Sequence, residues 1–103
     1  MKFKEAFVIL APGVDPAKDR SFIDTPKYAC YTILVQNPDQ ALAECKKLTE
    51  QEGVRAISLC PGFSNSAVGM ITEAVGPSIG VCVARPDVPG GKIIGECIVN
   101  AGW

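Results

Sequence analysis

The chain of 103 residues contains no histidine, which removes the commonest general base and the commonest metal ligand together. Its five cysteines, Cys30, Cys45, Cys60, Cys82 and Cys97, stand singly, with no C-x-x-C pair among them. An odd, dispersed set of this kind argues against a disulfide framework and against a zinc site. No metal site is expected, and no cofactor class is indicated. Neither sign of charge is in excess, since ten Lys and Arg oppose eleven Asp and Glu. No basic cluster or basic-aromatic stripe exists to track a phosphate backbone, so nucleic acid is not expected as a partner. The longest apolar runs, Ala6 to Ala11 and Ile79 to Ala84, fall far short of the roughly 20 residues that cross a bilayer. No membrane association is expected. The first residues lack the long apolar region of a signal peptide, and the expected location is the cytoplasm.

What remains is globular in composition, 48% hydrophobic and 20% charged, at a length that suits one domain over residues 1–103. Ala6 to Ala11 is a continuous apolar run stopped by Pro12-Gly13, the pattern of a strand covered on both faces. Asp15-Pro16 forms an N-cap and first-turn pair, which predicts two helical turns over Ala17 to Ile23 before Pro26. Tyr28 to Val35, rich in aromatic and β-branched residues, predicts a second buried strand. Asn37 and Pro38 then open a helix in which Ala41, Leu42, Cys45 and Leu48 recur at helical spacing, and Gly53 ends it. Val54 to Cys60 predicts a third strand. Ser64-Asn65-Ser66 precedes a second helix with Ala67, Val68, Ile71, Ala74 and Val75 on one face, closed by Gly76-Pro77. Ile79 to Ala84 predicts a fourth strand, again with the pattern of burial on both faces.

After Pro89-Gly90-Gly91, the run Ile93 to Val99 reads as a fifth strand. The stretch before it is too short for a helical crossover, so that strand should be antiparallel, peripheral or donated to a neighbouring subunit. The tail 92–103 is a candidate for subunit contacts in a homo-oligomer, most simply a dimer, and Trp103 at its end reads either as docked or interfacial or as a single solvated side chain. The fold class is α/β, a mostly parallel four- to five-stranded sheet flanked by two to three helices in the order β-(α)-β-α-β-α-β-β. A ferredoxin-like α+β arrangement is the alternative.

In an open parallel sheet the ligand crevice lies beyond the carboxyl ends of the strands. The turns there are Ala11-Pro12-Gly13, Gln36-Asn37, Cys60 to Ser66 and Arg85-Pro86-Asp87. The third is the leading candidate: Gly62 allows close backbone approach, and the helix start after Phe63 offers free N–H groups with Ser64, Asn65 and Ser66 beside them. Arg85 could add a bidentate contact to a carboxylate or phosphate, and Gly13 and Asn37 share the rim. Simple helix capping is the competing reading of the Ser-Asn-Ser trio. Cys60, just ahead of a helix, is a candidate nucleophile with Asp87 as acid or base, although no histidine can activate it. Buried, structural roles are expected for Cys30, Cys45, Cys82 and Cys97, and a buried structural role is the competing reading of Cys60.

The segment Gly53 to Phe63, with Ala11-Pro12-Gly13-Val14-Asp15-Pro16 upstream, resembles an uncharacterised family of small bacterial proteins known only as a domain of unknown function. The resemblance covers nearly the whole chain, and its most specific piece is Leu59-Cys60-Pro61-Gly62-Phe63. It carries no activity across. The residues themselves support three readings in order: a binding protein for an anionic small molecule, a small lyase, isomerase or thiol-dependent enzyme, and a structural oligomerisation module.

Overall fold

A computed structural model describes residues 1–103. The strands are β1 (Phe3–Leu10), β2 (Arg20–Asp24), β3 (Tyr28–Val35), β4 (Ala56–Leu59) and β5 (Gly80–Val83), and the helices are α1 (Pro38–Gln51), α2 (Asn65–Val75) and α3 (Gly90–Asn100). One sheet holds all five strands in the order β2-β3-β1-β4-β5. β1 pairs in parallel with both β3 and β4, β4 pairs in parallel with β5, and only β2 runs antiparallel, along β3. This is the mostly parallel α/β sheet expected. The ferredoxin-like alternative, with its β-α-β-β-α-β order, does not describe it.

Two segments differ from expectation. Asp15 does start a turn: its carboxylate accepts the Ala17 N–H at 3.0 Å, and its carbonyl accepts the N–H groups of Lys18 and Asp19 at 3.1 and 2.7 Å. The turn goes no further, because two isolated helical turns are unstable while Phe22 and Ile23 suit a strand. Residues 20–24 instead pair along the free edge of β3, where the rings of Phe22 and Tyr31 lie 4.6 Å apart. The second correction concerns the tail, where Ile93 to Val99 belongs to helix α3 and not to a fifth strand. A short apolar run fits either element by composition. Its finer spacing is helical, with Ile93, Ile94, Cys97, Ile98 and Ala101 on one side and Lys92 and Glu96 on the other.

α1 starts where the chain chemistry demands. The Asn37 side chain accepts the Gln40 N–H at 2.8 Å, Pro38 takes the first helical position where its missing N–H costs nothing, and Gly53 at φ +75° turns the chain out of the helix. The connections β3-α1-β4 and β4-α2-β5 run the same way across the sheet. Right-handed crossovers therefore place both helices on one face. On that face Ala6, Val8, Ile33, Val35, Ile57 and Leu59 pack with Ala41, Cys45 and Leu48 of α1 and with Ala67 and Ile71 of α2. Glu44 on α1, itself buried, accepts from Arg20 at 3.2 Å and ties β2 to the helix layer.

The opposite face has no helix on it, so burial on both faces holds for neither β1 nor β5 within one chain. Phe3 and Phe7 of β1 and Cys82 of β5 stand exposed there, and Cys30, Thr32, Leu34 and Ser58 are only half-buried. Phe3 and Tyr28 lie with ring centroids 5.8 Å apart on this face. The Tyr28 hydroxyl donates to Glu5, and that hydrogen bond to the carboxylate holds the phenol protonated well above its usual range. α3 buries none of its residues.

Leu48 is 1% exposed at the centre of the helix layer, so Leu48→Ala should lower the unfolding free energy by about 2–5 kcal/mol, read from urea denaturation. Burial pushes the Cys45 thiol from 9.0 up to about 12. The unfolded chain therefore releases this proton first as pH rises, and the contribution of Cys45 to stability is complete below pH 9 and disappears between 9 and about 12. Denaturation midpoints measured across that window should fall less steeply in Cys45→Ala than in the wild type.

Candidate functional site

Because β1, β3, β4 and β5 are parallel, their following turns meet at one end of the sheet. The chain leaves β1 toward the β3 side and leaves β4 toward the β5 side, so the connections diverge between β1 and β4 and open a crevice there. A pocket of about 430 Å³ occupies this place. Its walls are Leu10, Ala11 and Pro12 after β1, Gln36, Asn37 and Pro38 between β3 and α1, Gly62 and Ser64 between β4 and α2, and Trp103 from the far end of the chain.

Both helix starts point their first turns toward this cleft. Ser64 is the N-cap of α2, its hydroxyl accepting the Ala67 N–H at 3.1 Å. The Gln36 side chain donates to the Val14 carbonyl at 2.6 Å, and its oxygen counterpart on Gln40 accepts the Gln36 N–H at 2.8 Å. These bonds hold the polar wall in place. The first turn of α1 carries Asp39, whereas that of α2 carries no acid. The uncapped N–H groups at the start of α2 thus give this side of the cleft a partial positive charge. No ionised side chain lines the pocket.

Of the residues singled out from the sequence, Asn37, Gly62 and Ser64 come together in this lining. Arg85 does not line it. Its guanidinium donates to the Pro61 carbonyl and to the Asn65 side-chain oxygen, each at 2.9 Å, and so clasps the β4–α2 turn from outside. Asn65 is occupied by that clasp, and Ser66 lies exposed on the first turn of α2. Phe63 is 1% exposed within the core beneath the turn. Gly13 supplies a φ of +70° in the turn after β1, beside the pocket and outside its walls. Asp87 sits in the exposed loop before α3, its carbonyl accepting the Gly91 N–H at 2.7 Å. The Cys60 sulfur accepts the Leu10 N–H at 3.3 Å between the ends of β1 and β4, and the residue also borders the uncovered sheet face. No hydrogen bond joins Cys60 to Asp87.

The rim turns read from the sequence already held Ala11, Pro12 and Gln36, whereas Leu10, Pro38 and, above all, Trp103 were missed. Leu10 and Pro38 flank those turns, and that adjacency was the available signal. Nothing local marks Trp103, which reaches the cleft only through the path of α3. The cysteines also depart from expectation: Cys45 alone is buried, Cys30 is half-buried, and Cys82 and Cys97 are exposed. Cys82 lies on the uncovered face of β5 and Cys97 on the free helix α3, which is why burial fails for both.

Two outcomes follow. Phe63→Ala should unfold at markedly lower urea concentration, a loss of about 3–5 kcal/mol, because it empties a core site. Maleimide labelling followed by mass spectrometry should modify Cys45 last, because it alone is buried within the single chain.

No curated protein and no solved structure matches this chain. A family model does match, over residues 3–94, and its description is a family of unknown function, DUF6506. The matched span holds every strand together with α1 and α2, and the chain therefore belongs to this family of unknown function, DUF6506.

Proposed function

We propose that this protein binds a small organic anion in the cleft at the carboxyl ends of its parallel strands, with a planar part of the ligand against Trp103 and a carboxylate or phosphate toward the start of α2. The observation that carries this reading is the composition of the cleft, a single indole and the apolar Leu10, Pro12 and Pro38 facing the N-terminus of a helix that has no acid in its first turn. Its volume falls in the range of small-molecule sites, roughly 300–1,000 Å³. A helix start of this kind favours negative charge through its free N–H groups, and an indole offers a flat surface for a ring or conjugated group.

Arg85 enters as a positioning residue. Its two hydrogen bonds, to Pro61 and to Asn65, hold the turn that carries Gly62 and Ser64, and it contributes long-range positive charge as well. Cys60 and Asp87 have no part in this reading, since the thiol is held by the Leu10 N–H and has no base hydrogen-bonded to it. The proposal extends to a reducing compartment such as the cytosol, which suits five unpaired thiols. No helix is long and apolar enough to cross a membrane.

Trp103 is the only tryptophan, so its fluorescence reports directly on the cleft. Titration with a panel of carboxylated and phosphorylated metabolites should give a saturable change with at least one of them. By calorimetry, Trp103→Ala should then weaken that ligand about tenfold, the scale of one good aromatic contact, and Arg85→Ala should weaken it several-fold. Unchanged affinity in Trp103→Ala would move the ligand out of this cleft.

A further inference from the structure

Two surfaces of this chain are left apolar and uncovered. The first is the sheet face opposite α1 and α2. Over β4 and β5 its side chains are all small, namely Ala56, Ser58 and Cys60 on one strand and Gly80, Cys82 and Ala84 beside them. Phe7 and Ile9 of β1 stand as a ridge along one edge. The result is a trough of about 410 Å³, eight of whose ten lining residues are hydrophobic. The second surface is the apolar side of α3. Ile93 is 59% exposed, Ile94 47% and Ile98 38%, and Cys97 lies between them on the same side.

We propose that α3 of one copy seats in this trough on a second copy, and that the same contact repeated by two-fold symmetry makes the protein a dimer. Three observations single out a second copy as the occupant. First, β1 from Ala6 onward and β5 are continuously apolar, the mark of parallel strands covered on both faces, yet one chain covers only one face. Second, the chain carries a matching cover of its own: an amphipathic helix with bulky Ile side chains and nothing packed on it opposes a trough floored by small ones. An isologous pair satisfies both surfaces at once. Third, the polar side of α3 carries Lys92 and Glu96, which cancel, so the helix lacks the cationic face of a membrane-surface segment.

The size is adequate. An 11-residue helix is about 16 Å long and 10 Å wide. Each seating then covers roughly 160 Å² in projection and about half as much again in accessible area, so the four surfaces of a symmetric pair sum to roughly 1,000 Å², the lower bound of a stable interface. This interface is separate from the Trp103 cleft in its residues. It stands or falls independently of ligand binding there.

Sedimentation equilibrium at micromolar concentration should return twice the chain mass of 10.9 kDa. Ile94→Glu and Ile98→Glu on α3, and Cys82→Arg in the trough, should each return the single-chain mass with unchanged far-ultraviolet circular dichroism, because all three positions are exposed on the isolated chain. The native thiols then test the geometry. In a mixture of isotopically light and heavy wild-type chains, a short bis-maleimide should join Cys97 of one isotope to Cys82 or Cys60 of the other. A monomeric wild type overturns the proposal, including one that instead sediments with lipid vesicles. So does a dimer indifferent to all three substitutions. Cys97 joined to Cys82 only within a single isotope would mean that α3 closes on its own sheet, and Cys82 joined only to Cys82 would mean that the two sheets meet directly; either result also overturns it.

Discussion

β1 pairs in parallel on both sides, with β3 and with β4, and most of the architecture follows from that constraint. Parallel neighbours cannot be joined by a tight turn, so the chain must cross over the sheet between β3 and β4 and again between β4 and β5. Both crossovers run in the same direction and are right-handed, which stacks α1 and α2 on one face. The same geometry brings all the carboxyl ends of the parallel strands to one rim. It therefore creates the cleft between β1 and β4 and, by leaving the other face without a helix, creates the uncovered trough. One pairing pattern accounts for both surfaces of interest.

The cleft is built largely from backbone chemistry. Asn37 and Ser64 are caps before they are anything else, each bound to an N–H of its own helix. Their value to a ligand lies in what the caps leave free at the helix starts and in how firmly they hold the walls. Arg85 illustrates the same economy, because its charge is placed near the rim by hydrogen bonds to Pro61 and Asn65 while its guanidinium stays outside the pocket. Phe63 anchors the turn from below by filling the core. Side chains that look chemical in the sequence thus serve here to shape a loop.

The long periodic and apolar segments were legible from composition and spacing. β1, β3, β4, β5, α1 and α2 each have a local signal that agrees with the tertiary environment, and the stops at Gly53 and at Gly76-Pro77 are conformational requirements of the residues themselves. The two misread segments are those where local and tertiary preferences diverge. Ala17 to Ile23 follows a helix-start signal at Asp15, but the free edge of β3 offers a complete ladder that a two-turn helix cannot match. Ile93 to Val99 is too short and too uniformly apolar for composition to distinguish strand from helix. Of the site, Asn37, Gly62 and Ser64 were legible because turn and cap chemistry is local, and Trp103 was not because its place depends on the whole path from β5 through α3.

By itself, the sequence determined the alternation of elements, the helix caps and the parallel class of sheet, since these depend on residues within a few positions of one another. Its continuous apolar runs also predicted cover on both faces of the strands, which a single chain supplies on one face only. Only the tertiary structure decided which face α1 and α2 protect, which turns meet in the cleft, and that Cys82, Cys97 and the isoleucines of α3 are left open. Those outcomes depend on strand order and crossover hand, which are properties of the assembled sheet and leave no mark on any single segment.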